Sequence, residues 1–161
     1  MKSFLISIVL LFDFIRAGAQ IKEWKVEDVD QFIKNAPGEV VVVNFWATFC
    51  KPCIAEIPFF ISNVNAYGKD KISLVLVSLD LPNQFPKKIE AFAKEHKFDT
   101  NLAWLNETNA DYFCPKIDST WSGSIPATLM INKKTGKRFF YEEEMSEMEF
   151  KQRLEAVSGK L

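Results

Sequence analysis

The segment Glu39-Val40-Val41-Val42-Val43-Asn44-Phe45-Trp46 narrows the fold of this chain more than any other. It is β-branched and aromatic with no alternation of apolar and polar positions, the pattern of a central strand covered on both faces. Covering both faces takes helices, and the flanking sequence offers them. Val29, Phe32, Ile33 and Ala36 recur at helical spacing before Pro37-Gly38, which predicts a short amphipathic helix ending there. Ile54, Ile57, Phe60, Ile61 and Val64 mark a helix from Lys51 to about Ala66, with Pro58 expected to kink it by removing a backbone donor. Ile72 to Leu79 reads as a second buried strand, and Pro86 opens a helix whose face carries Ile89, Phe92 and Ala93 up to about Lys97. Alternating strands and helices give an α/β fold class.

Leu102 to Trp121 carries no clear period. Beyond it, Ala127 to Asn132 predicts a strand, and the Lys134-Thr135-Gly136 turn folds Lys137 to Tyr141 back on it as a hairpin. Ser146 and Glu149 form a capping box for a last helix, Met145 and Phe150 staple its start, and Gly159 ends it. The expected architecture is a central mixed sheet flanked by helices. No repeat or linker divides it. With 161 residues, fifteen Phe and four Trp, the chain builds a core without a metal or a disulfide framework, so its three cysteines are free for chemistry. A formal net charge of −1 provides no field to recruit nucleic acid, and no such partner is expected.

The N-terminus has its own pattern. Lys2, the apolar run Phe4 to Phe12 and the small residues Ala17-Gly18-Ala19 resemble the basic start, apolar core and cleavage site of a signal peptide. The run is about half the ~20 residues of a transmembrane helix, and Asp13 and Arg16 follow it, which disfavours a retained anchor. The expectation is a signal peptide over 1–19, a folded domain over 20–161, and export to the bacterial periplasm or cell envelope.

Cys50-Lys51-Pro52-Cys53 falls where the buried strand gives way to a helix. Unpaired backbone N–H groups of the first turn then point towards the Cys50 sulfur and Lys51 adds a cation, so a thiol near 8.5 falls towards ~7 or below. Cys50 is the candidate nucleophile. Cys53, one turn further in, keeps its proton until it attacks the mixed disulfide formed by Cys50, the resolving role. Pro52 stiffens the loop between them. Two other accounts stand beside this one: a zinc site, which needs Cys114 and His96 to converge on the pair, and two buried structural cysteines.

Phe45-Trp46-Ala47-Thr48-Phe49-Cys50-Lys51-Pro52-Cys53, with Pro58 beyond, resembles the active-site segment of the thioredoxin superfamily, and Ser124-Ile125-Pro126-Ala127-Thr128 resembles its second signature. With Pro82 to Asn106 inserted between core strands, the chain is most similar to the TlpA-like and ResA-like extracytoplasmic thiol–disulfide oxidoreductases over roughly Val26 to Gly159. The resemblance implies a thioredoxin-like three-layer sandwich with an inserted β/α segment. It implies a cis Pro126 facing the cysteines, with the Ile125 backbone pairing with substrate. It also implies protein substrates bearing disulfides, a membrane-bound or soluble thiol electron donor, and no cofactor beyond a redox-active Cys50–Cys53 disulfide.

Trp46, Lys51, Pro52, Ile125 and Pro126 are the candidate substrate-contacting residues, and Trp121 is a further aromatic beside the Pro126 loop. Thioredoxin itself carries a buried Asp where this chain has Asn44, which takes no proton. Glu56, three residues after Cys53 on the same helix, is the candidate acceptor, directly or through water. Cys114 is expected to be a small buried hydrophobe. A non-catalytic binding module and a thiol peroxidase of the same superfamily are the alternatives to a reducing disulfide exchange.

Overall fold

The computed structural model describes residues 21–68 and 70–159, and the expected signal segment over 1–19 lies outside them. The chain runs through β1 (Lys22–Trp24), α1 (Val26–Asn35), β2 (Val40–Trp46), α2 (Lys51–Tyr67) and β3 (Ile72–Ser78). A 3-10 turn (Pro82–Gln84) follows, then α3 (Lys87–Glu95), β4 (Asn101–Leu105), α4 (Ala110–Ile117), β5 (Ala127–Asn132), β6 (Arg138–Tyr141) and α5 (Glu147–Ser158). The six strands form one sheet in the order β1-β4-β3-β2-β5-β6. The first four are mutually parallel, while β5 lies antiparallel to β2, and β6 to β5.

β2 is central and buried along its whole length, as its composition demands. Val41, Val43 and Phe45 face a layer made by Val26, Val29 and Ile33 of α1 and by Phe113 and Ile117 of α4. Val40, Val42 and Trp46 face the opposite layer, made by α2, α3 and α5 through residues such as Ile57, Phe60, Ile89, Phe150 and Leu154. Three layers result, with α2 and the cysteines on the second side.

The chain reaches β2 through Gly38, whose N–H donates to Ser73 Oγ at 3.0 Å. A Cβ there would lie 2.6 Å from the Ser73 nitrogen and 2.8 Å from the Ile72 carbonyl carbon, so the close approach to β3 requires glycine. At the far end, Ser146 Oγ accepts from Glu149 N, Glu149 reaches back to Ser146 N, and Gly159 closes α5 at φ 71°.

α2 runs through Pro58 as one element, with Ile57 and Phe60 buried on its inner face and Pro58 exposed. Elsewhere the structure departs from the sequence expectations. α3 ends at Glu95 and not near Lys97, which takes a left-handed φ of 57°. The stretch without clear period contains most of β4 and all of α4, and β1 adds a strand at the sheet edge. No helix among the described residues is long and apolar enough to cross a membrane.

Candidate redox site

β2 delivers the turn Ala47-Thr48-Phe49 to the carboxyl edge of the sheet, and Cys50 becomes the N-cap of α2. Its N–H donates to the Ala47 carbonyl at 3.0 Å, which fixes the turn. Cys50 and Cys53 form a disulfide, with an S–S distance of 2.07 Å and 5.3 Å between Cα atoms. The Cys53 N–H donates to Cys50 Sγ at 3.3 Å, so an orphan donor of the first helical turn is aimed at that sulfur. The two residues are unequal: Cys50 retains 7% exposure and Cys53 none. Around them Lys51 is exposed and Pro52 half-buried.

The turn before Cys50 is anchored by a buried acid. Asp80, just past β3, accepts from Thr48 N at 3.0 Å, from Thr48 Oγ1 at 2.6 Å and from Ser78 Oγ at 2.7 Å. Its carbonyl receives the Trp104 indole N–H at 2.8 Å. Sequence reasoning missed Asp80. The available signal was its place at the carboxyl end of a parallel strand, where α/β sheets hold their sites. Phe49 and Leu81, at 67% and 60% exposure, flank this anchor as large apolar side chains in solvent.

The loop before β5 enters from the other side. Antiparallel pairing sets Ala127 opposite Phe45, so Pro126 stands beside the end of β2. The Ile125–Pro126 bond is cis. Pro126 is buried and Ile125 half-buried, the latter packed against both apolar layers. Glu142, after β6, grips the loop: its carboxylate accepts from Ser122 N, Ser122 Oγ and Ser124 N at 2.5 to 3.1 Å. Burial pushes its pKa up, but these hydrogen bonds outweigh burial and hold Glu142 below the usual carboxylate range. Trp121 donates its indole N–H to the Ser124 carbonyl and packs on Phe45, Phe113 and Phe140.

Beneath the cysteines lies a buried polar group. Glu56 is fully buried on α2, one turn past Cys53. Its Oε1 accepts from Asn44 Nδ2 at 3.0 Å and its Oε2 from Met145 N at 3.0 Å. Burial raises its pKa to about 7 against these two donors, with Glu144 adding to the rise and Arg153 opposing it. Asn44 also donates to Thr128 Oγ1 at 3.1 Å.

Trp46, expected to contact substrate, is fully buried, with its ring on Phe92 and Phe98. Side chains alternate along β2, so Trp46 points into the same core layer that holds both cysteines; it supports the site and presents no surface. Cys114 lies in the other layer, across the sheet, with burial first and the charges of Glu142 and Asp111 next pushing its thiol up to about 11. His96 is exposed and stacked on Phe92. The four side chains that a zinc site would need therefore do not meet, and no group of three or more His, Cys, Asp or Glu placed to hold a metal occurs among the described residues.

The sequence matches the AhpC/TSA family over residues 13–136. It is 27% identical over 147 residues to the thioredoxin-like protein YneN of Bacillus subtilis (strain 168), covering 88% of this chain and 80% of that one. It is 35% identical over 111 residues to sporulation thiol-disulfide oxidoreductase A of the same organism, covering 68% of this chain and 62% of that relative, which is under two thirds of its length. Among solved structures, a thioredoxin-related protein from Neisseria meningitidis serogroup B superposes with a TM-score of 0.67 at 24% identity, covering 80% of this chain and 91% of that one. The mixed sheet and its helices thus have the thioredoxin-like fold.

Proposed function

The chain belongs to the AhpC/TSA family, and from that membership and its Cys50–Cys53 disulfide we propose that it is a thiol–disulfide oxidoreductase acting on disulfides of exported proteins, in the reducing direction. The observation that carries this reading is the inequality of the two cysteines. Cys50 caps a helix, receives an N–H on its sulfur and keeps some residue exposure, whereas Cys53 keeps none.

With the pair reduced, the helix N-terminus favours the thiolate at Cys50. Its sulfur attacks a substrate disulfide, one substrate sulfur leaves as a thiolate, and a mixed disulfide joins Cys50 to the other. Cys53 then gives up its proton, for which Glu56 is the acceptor, directly or through water. The Cys53 thiolate attacks the Cys50 sulfur, the bond from Cys50 to substrate breaks, and the second substrate sulfur leaves as a thiolate. Two electrons have passed to the substrate and Cys50–Cys53 is again a disulfide, to be reduced by a thiol donor. Ile125, beside the cis Pro126, offers its backbone to the extended substrate chain, and Lys51 and Pro52 border the approach. No further cofactor enters this cycle.

Export follows from the signal-peptide pattern over 1–19, with 20–161 as the working domain; N-terminal sequencing of the exported protein tests cleavage after Ala19. Insulin reduction by the protein, compared with Cys50→Ser, tests the activity. Turnover that survives in Cys50→Ser refutes the mechanism, and turnover absent from both favours a binding module. Peroxide consumption without any disulfide substrate favours a peroxidase. A Cys50/Cys53 potential near −270 mV supports the reducing direction, and one near −120 mV reverses it.

A further inference from the structure

We propose that Asn44 is the positioning residue for the proton on Glu56: its side-chain amide meets the ionised carboxylate nitrogen-first and turns over to offer its oxygen when Glu56 is protonated. The proposal rests on the reading above, in which Glu56 gains and loses a proton in each cycle.

Asn44 sits in the middle of β2, fully buried, opposite Thr128 of β5 in the strand register. The two hydrogens on Nδ2 are both used, one towards Glu56 Oε1 at 3.0 Å and one towards Thr128 Oγ1 at 3.1 Å. Oδ1 of the same amide is buried and has no hydrogen-bond partner. A buried amide oxygen without a donor costs free energy, so the orientation is held by what the nitrogen gains. The share of that gain made with Glu56 exists only while Oε1 is an acceptor. Its other oxygen, Oε2, faces the Met145 main-chain N–H at 3.0 Å, which has no means of reversing. Each carboxylate oxygen therefore meets an N–H donor, the arrangement suited to the anion.

Protonation changes the match on one side only. A proton in the place where Oε2 now accepts would oppose a fixed main-chain donor, whereas one in the place where Oε1 now accepts opposes Nδ2, which can turn away, and the proposal puts the proton there. Rotation of the amide by half a turn about its last side-chain bond brings Oδ1 to that place and moves Nδ2 to where Oδ1 now has no partner, a cost that the two bonds accepted by Oδ1 must offset. Oδ1 then accepts from Glu56 Oε1–H, and from the Thr128 hydroxyl, which accepts in one state and donates in the other. The amide supplies a donor or an acceptor as needed and adds no charge of its own. The charged groups that bear on Glu56 from neighbouring elements are Glu144, ahead of α5, and Arg153, within α5; they act in opposite senses.

The test follows the oxidised, isotope-labelled protein by NMR from about pH 5 to 9, reading the Glu56 carboxyl carbon and the Asn44 side-chain NH2 together. The expected result is one shared midpoint, with contacts from the Asn44 NH2 protons to Thr128 present above it and lost below it. Asn44→Ala removes a group that serves both protonation states, so the Glu56 midpoint is expected to move by less than about one unit. Asn44 signals that stay flat while Glu56 titrates overturn the proposal, as does a midpoint raised by more than about one unit in Asn44→Ala, which marks a donor fixed in one orientation. The wild-type measurement stands if that variant fails to fold. Insulin reduction is scored separately: a shared midpoint in a protein without reductase activity sinks the enzymatic reading alone, and flat Asn44 signals in an active reductase sink this one alone.

Discussion

Asp80 holds Thr48 at both ends of the residue, accepting its main-chain N–H at 3.0 Å and its hydroxyl at 2.6 Å. Two positions later comes Cys50, so the sulfur's place over α2 depends on a carboxylate from the neighbouring strand. Asp80→Ala leaves Thr48 N and the buried Ser78 Oγ without their acceptor, and leaves Thr48 Oγ1 only Gln84 Oε1 at 3.4 Å. We expect a loss of about 3 kcal/mol in denaturant unfolding. We also expect faster alkylation of reduced Cys50, as the turn loosens.

Glu56 sets a pH dependence whose sign is fixed by its raised pKa. The ionised form is disfavoured in the folded protein, from 4.5 to about 7. The group therefore supports the fold fully below pH 4.5, and that support is lost as pH rises through about 7. Glu56→Gln abolishes this slope. Relative to its value at pH 4.5, the parent is expected to lose a few kcal/mol more stability than Glu56→Gln by pH 8, an order-of-magnitude figure. Unfolding curves for both proteins across that range check it. The pH–rate profile of insulin reduction changes with them if Glu56 takes the Cys53 proton, and an unchanged profile removes it from the mechanism.

Glu142 works in the opposite sense. Its folded pKa is lowered, so its contribution is present above pH 4.5 and lost as pH falls through the lowered value. Hydrogen exchange at Ser122 and Ser124, whose N–H groups it accepts, is expected to accelerate in Glu142→Ala, and in the parent at acid pH, relative to other loop amides. Loosening this loop is expected to raise KM for insulin more than it lowers kcat if the Ile125 backbone pairs with substrate as proposed.

Phe49 and Leu81 stand on the two segments that the Thr48–Asp80 contacts join, and both face solvent. Phe49→Ser and Leu81→Ser are each expected to raise KM for insulin by about tenfold, the scale of one lost apolar contact. Stability stays within about 0.5 kcal/mol, as for other exposed positions. Reduction of a small aromatic disulfide is unaffected, and an equal loss on both substrates rules out a role in protein recognition.

How far this architecture can be read in advance depends on where each element's stability originates. β2, β3, β5 and α5 declare themselves locally, through uninterrupted apolar runs or the Ser146–Glu149 capping pair. β1 has three residues and exists only because β4 pairs with it. α4 lacks a side-chain cap at Asn109 and carries Pro115, so its helical state follows from burying Phe113 and Ile117. The cysteine pair is visible as a motif because its parts are contiguous. Asp80 and Glu142 are not, since Thr48, Ser122 and Ser124 lie on other segments from the acids that hold them and neither acid belongs to a recognisable spacing. Trp46 shows the opposite error: adjacency to a motif suggested contact with substrate, while alternation along β2 sends the ring inwards.

Antiparallel pairing of β5 with β2 joins positions far apart in the chain, Asn44 and Thr128 at 84 residues among them. On a ribosome, both thiols emerge long before the strand that brings the opposing lip is synthesised. Until β5 pairs with β2, the Pro126 loop has no fixed place beside the end of β2, and that side of the cysteine site is unbuilt.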